Sequence, residues 1–113
     1  MPHRAVQTWT PSSPQSRSKA IANILLSPAV FSKSWCSYSR ASKQLLDQYG
    51  ANYYVIELDQ VPDGSAIQSA LREMNGQSTV PHIYINKQHI GGNSDLQAIK
   101  GKLPELLKGA GAL

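Results

Sequence analysis

The sequence holds a single cysteine, Cys36, among 113 residues. One sulfur cannot close an internal disulfide, which argues against a disulfide-stapled secreted domain and favours a reducing compartment. No apolar run approaches the length needed to span a bilayer, and no stretch has the character of a secretory h-region. Acidic residues are missing from the first 46 positions, which carry Arg4, Arg17, Lys19 and Arg40, while the chain from Asp47 onward is slightly acidic. The formal charge of +4 is therefore concentrated at one end. Its basic residues form no cluster interleaved with aromatics, so a nucleic-acid partner is not expected. One Cys and three scattered His show no metal-ligand spacing.

What is present fits one domain with one compact core. Residues 1–17 read as a flexible basic tail, rich in Pro, Ser and Thr, with Trp9 as the one residue there able to dock on the body. Their Arg- and Ser-rich, acid-poor composition is also that of an organellar presequence, so a mitochondrial or other organellar address is the alternative to a cytoplasmic one. Residues 18–113 read as the folded domain.

Ala20, Ile21, Ile24 and Leu25 recur at helical spacing, and Pro28 ends that first helix. Ala29–Ser32 is a short strand leading into the cysteine turn. Ala41, Leu45, Leu46 and Tyr49 share one helical face, closed by Gly50. Tyr53–Leu58 is a buried strand, Pro62-Asp63-Gly64 a turn, and Ile67, Ala70, Leu71 and Met74 the inner face of a third helix ended by Gly76. Two short strands around Asn86-Lys87 suggest a tight hairpin. Asn93-Ser94 opens a last helical region interrupted by Gly101 and Pro104. The order implies four strands in one mixed sheet flanked by helices, an α/β thioredoxin-like fold.

The chemistry centres on Lys33-Ser34-Trp35-Cys36-Ser37-Tyr38-Ser39. Ser34 is placed as an N-cap, which would put Trp35 and Cys36 in the first helical turn. Unpaired backbone N–H groups, the helix dipole and the Lys33 ammonium would then favour thiolate over thiol. A lone cysteine is more often an inert core residue, but Ser, Tyr and Ser at a loop-to-helix junction are poor company for one. Cys36-x-x-Ser39 is a C-x-x-C redox motif with the resolving thiol replaced by a hydroxyl, so a mixed disulfide on Cys36 must be resolved by an external thiol.

From about Ser18 to the C-terminus the chain resembles the glutaredoxin family. Three segments carry the resemblance in order: the Lys33–Ser39 loop, the Thr79-Val80-Pro81 loop, and Gly91-Gly92-Asn93-Ser94-Asp95. Their wording is closest to fungal-type class I members. The resemblance implies a glutathione site. A cis Pro81 would let the Val80 backbone N–H and C=O pair with the cysteinyl part of the tripeptide, beside Thr79. Gly92, Asn93, Ser94 and Asp95 would receive the γ-glutamyl end. Lys33 and Gln68 would hold the glycine carboxylate, and Tyr38 would wall the groove. Asn93 stands where some relatives carry a further cysteine, so no distal thiol replaces the missing one.

The resemblance implies a monothiol oxidoreductase that deglutathionylates proteins or small disulfides through Cys36, with glutathione as co-substrate, acting as a monomer without membrane or nucleic-acid partners. The alternative is a [2Fe–2S] carrier or sensor, in which two chains each supply Cys36 and two glutathione molecules complete the ligand set. A cysteine hydrolase with His82 or His89 as base is less favoured, since both fall on predicted strands and a lone Cys and His fix no geometry.

Overall fold

The computed structural model describes residues 6–8 and 28–113. The expected first helix, Trp9 and most of the basic tail lie outside the described residues. The described chain runs β1 (Val6–Thr8), β2 (Ala29–Ser32), α1 (Ser37–Gln48), β3 (Tyr53–Glu57), α2 (Gly64–Asn75), β4 (His82–Ile85), β5 (Gln88–Gly91), α3 (Asn93–Ala98), a 3-10 turn (Lys100–Lys102) and α4 (Leu103–Gly109).

The strands form one sheet in the order β1-β3-β2-β4-β5. β1 and β2 both run parallel to β3, and β4 lies antiparallel to β2 and to β5. The four strands expected from the sequence are β2 to β5, in the thioredoxin-like arrangement. β1 is an addition within the stretch read as tail; three residues of Val-Gln-Thr are too few to write a strand period.

Alternation along the strands builds two cores. Ala29 and Phe31 of β2 face Ile67 and Leu71 of α2, whereas Val30 faces Leu45, Leu46, Leu96, Leu103 and Leu107 of α1, α3 and α4. All four residues of β2 are buried, because a sheet covered on both faces has no solvent side to display. The β4–β5 hairpin turns on Asn86 and Lys87, both at positive φ (53° and 66°), the pairing that a two-residue turn of matching twist requires.

Two elements depart from the pattern read in the sequence. On α1 the buried face is Ser39, Ser42, Leu45 and Leu46, so Ala41 gives way to a hydroxyl-bearing residue. The last helical region breaks into α3, the 3-10 turn and α4, with Gly101 inside the turn and Pro104 near the start of α4.

Candidate functional site

The sheet topology brings the two functional loops together. Phe31 pairs with His82 in the antiparallel β2–β4 ladder, so the chain leaving β2 at Ser32 and the chain entering β4 at Pro81 meet at the same sheet end. The first carries Cys36, and the second carries Thr79-Val80-Pro81 with its Val80–Pro81 peptide in the cis form.

Cys36 itself occupies the N-cap of α1, with φ −82° and ψ 123°, while Trp35 lies outside the helix. This corrects the expectation that Ser34 caps the helix. Ser34 is drawn away by Asp59: its N–H donates to Asp59 Oδ1 at 3.0 Å, and its hydroxyl donates to the other carboxylate oxygen. These bonds, the hydroxyl's first, hold the Asp59 carboxyl below its ordinary range.

Capping by the cysteine improves its chemistry. A turn closed by Cys36 N–H to Lys33 O (3.0 Å) precedes the first helical bond, from Arg40 N–H to Cys36 O (3.0 Å). The neutral thiol closes no cap hydrogen bond, but a thiolate there has the orphan N–H groups of the first turn to accept from. Burial pushes the Cys36 thiol up. The Ser39 backbone N–H, the Ser39 hydroxyl, the Tyr38 backbone N–H and the Lys33 ammonium together outweigh it, so the thiol sits below its ordinary value.

Cys36 is only 9 % exposed, yet Trp35 and Tyr38, on either side, are each 66 % exposed. The Lys33 ammonium lies 5.6 Å from the Trp35 ring centroid, in cation–π range.

An open cavity of about 690 Å³ is lined by Tyr38, Thr79, Val80, Gly92, Asn93, Ser94 and Asp95, together with Gln77 and His89. Seven residues expected at the binding site thus share one wall. Of the others, Lys33 stands beside Cys36, and Pro81 follows the cavity-lining Val80, its carbonyl accepting from Gln77 Nε2. Gln68 donates to Ser78 O (3.4 Å) and lines a separate hollow with Ser65, Ser69 and Arg72.

The Gly-Gly segment is shaped by Asp95, whose Oδ2 accepts from the Gly92 N–H at 2.9 Å. Gly91 has φ +122°, and a Cβ there would run into the Asp95 carboxylate. Asn93 is tied down as well: its Oδ1 accepts from Ser42 Oγ (2.9 Å) and Gln97 Nε2 (3.2 Å), joining α3 to α1.

Sequence reasoning missed Gln77 as a site residue and weighed His89 only as a hydrolase base, not as part of the cavity wall. Gln77 lies two residues before the Thr79-Val80-Pro81 loop, and nothing in its spacing signals that its amide folds back onto that loop. His82, expected on a strand, is fully buried on the interior strand β4, and burial lowers its pKa to about 4. Among the described residues the hydrogen-bond partners of His82 and His89 are Asn75 and Gln77, not Cys36. Among the described residues no group of three or more His, Cys, Asp or Glu is gathered to hold a metal ion.

The glutaredoxin family model matches residues 29–90. The chain is 50% identical over 86 residues to glutaredoxin-C1 of Arabidopsis thaliana, covering 74% of this chain and 69% of that protein. It is 48% identical over 82 residues to glutaredoxin-2 of Schizosaccharomyces pombe, covering 73% of each. A crystal structure of a buckwheat glutaredoxin–glutathione complex superposes with a TM-score of 0.84 at 42% identity, covering 91% of this chain and 99% of that one.

Proposed function

The chain belongs to the glutaredoxin family, and we propose that it is a class I monothiol member that removes glutathione from mixed disulfides. The observation that carries this reading is Cys36 at the N-cap of α1, its thiolate favoured by first-turn N–H groups, two residues before Tyr38 in the wall of an open groove that Val80 also lines. The buckwheat relative solved with glutathione supports the same ligand here.

In the first step the Cys36 thiolate attacks the glutathione sulfur of the mixed disulfide. A Cys36–glutathione disulfide forms, and the substrate leaves as a thiolate that takes a proton from solvent. In the second step a glutathione thiolate attacks the glutathione sulfur of that disulfide, giving glutathione disulfide and the Cys36 thiolate. A low thiol pKa supplies the attacking form in the first step and a good leaving group in the second. Ser39 offers no sulfur, so the second thiol comes from outside.

The Val80 backbone is suited to pair strand-fashion with the cysteinyl part of the tripeptide, because neither its N–H nor its C=O takes a backbone partner among the described residues. Asp95, Ser94 and the Gly92 segment suit the γ-glutamyl end, and Lys33 the glycine carboxylate.

The test is glutathione-dependent turnover of a glutathionylated cysteine peptide, coupled to glutathione reductase and NADPH, for wild type and Cys36→Ser. Turnover lost in Cys36→Ser is expected. A folded, reduced wild type without turnover overturns the reading and moves a glutathione-ligated [2Fe–2S] role to first place, to be sought as a coloured dimer after anaerobic reconstitution.

A further inference from the structure

Gln77 lies between α2 and β4, and every polar atom of its amide is engaged. Its Nε2 donates to Thr79 O at 2.7 Å and to Pro81 O at 2.7 Å, the carbonyls on either side of Val80. Its Oε1 meets His89 Nε2 on β5 at 2.9 Å. Its own N–H is fixed by Asn75 Oδ1 at 2.8 Å, so the residue is anchored at both ends.

The arrangement works in one orientation only. Two carbonyl oxygens demand the NH2 end of the amide, which turns Oε1 toward β5, where it needs a donor. His89 meets that need when its Nε2 carries the proton, and the tilted stack of Tyr84 on the His89 ring, 5.2 Å between centroids, holds the imidazole in place. An amide rotated by half a turn would set oxygen against two carbonyls and its NH2 against the imidazole N–H.

We infer that Gln77 is a positioning residue for glutathione recognition: by gripping the Thr79 and Pro81 carbonyls it presents the Val80 N–H and C=O to the tripeptide, and His89 sets the orientation of the grip. The inference rests on the function proposed above and adds two residues to it. It also explains why Gln77 and His89 lie in the cavity wall although neither is needed for the thiol chemistry. Both the neutral Nε2–H form of His89 and the imidazolium donate from Nε2, so the grip does not depend on the charge of His89.

The experiment compares wild type, Gln77→Ala, His89→Phe and the double variant in the glutathionylated-peptide assay, with the rate of Cys36 alkylation against pH as a second readout. Gln77→Ala is expected to raise KM for the glutathionylated peptide roughly tenfold, the size set by two lost neutral hydrogen bonds, with kcat altered less than KM and the alkylation profile in place. His89→Phe is expected to raise KM less, and to add nothing in the Gln77→Ala background, because it acts through the same amide. An active wild type whose KM is matched by Gln77→Ala overturns the inference alone, as does an additive His89→Phe effect on KM. A wild type without turnover overturns the inference together with the reading beneath it.

Discussion

The Lys33 backbone N–H donates to the Ser39 hydroxyl at 3.4 Å, spanning the turn that contains Cys36. Ser39 is fully buried at this point. Its oxygen therefore holds the loop closed on one side while its hydrogen is available to the sulfur on the other. The residue standing where a C-x-x-C motif has its second thiol is thus part of the Cys36 sulfur's own environment.

Ser39→Ala is accordingly expected to raise the Cys36 pKa, since it removes the hydroxyl while leaving the Ser39 and Tyr38 backbone N–H groups. Iodoacetamide alkylation followed against pH should show a midpoint below that of an ordinary thiol in wild type and a higher one in Ser39→Ala. An unchanged midpoint would place the whole effect on the backbone N–H groups and Lys33.

Stability should fall on mild acidification because of His82. Its folded pKa of about 4 lies below the reference 6.5, so the unfolded chain binds the proton first. The stabilisation is complete above about pH 6.5 and is lost as pH falls toward 4, amounting to about 3 kcal/mol across that window. His89 is also lowered, chiefly by burial and against the pull of Asp95, and acts in the same direction. Urea unfolding at pH 7 and pH 4.5 should show the difference, and His82→Asn should reduce it.

Lys43 and Glu57 form an ion pair at 2.8 Å with side chains 20 % and 14 % exposed. Glu57 Oε1 has no hydrogen-bond partner among the described residues, and the lysine holds the carboxylate through Oε2. Lys43→Met should cost about 2 kcal/mol, because it strands a largely buried charge. Lys43→Met with Glu57→Met should recover most of that loss; denaturant titration of the two variants distinguishes a stranded charge from simple loss of packing.

Gly91→Ala should destabilise the fold by about 2 kcal/mol and loosen α3, since a side chain would be forced to φ +122° and against the Asp95 carboxylate that caps Gly92. Thermal unfolding reads the first effect. A raised KM for the glutathionylated peptide reads the second, and an unchanged KM would show that Asp95 keeps its place without the Gly92 bond.

The parts of this site legible in the sequence are those written by backbone demands. Pro81, Gly91 and the Asn86-Lys87 turn announce themselves because few residues tolerate their conformations, and the strands β2 to β5 follow from apolar runs with turn punctuation. The N-cap of α1 falls two residues later than the sequence suggests, because Ser34 has the right chemistry and Asp59, 25 positions away, takes it. Ser42 and His89 give no signal in the sequence because their partners, Asn93 and Gln77, lie 51 and 12 positions away; Gln77 gives none although Thr79 and Pro81 are close by, since a Gln looks alike whether its amide faces water or a carbonyl.

The central position of β2 carries one more consequence. Hydrogen-bonded on both sides and covered on both faces, it belongs to the portion of the fold that opens last, whereas β5 lies at the sheet's margin. Cys36 hangs from that inner strand and the far wall of the groove from the outer one. Opening that begins at the margin would then leave the sulfur's bearing still, as a workpiece is turned against a fixed tool.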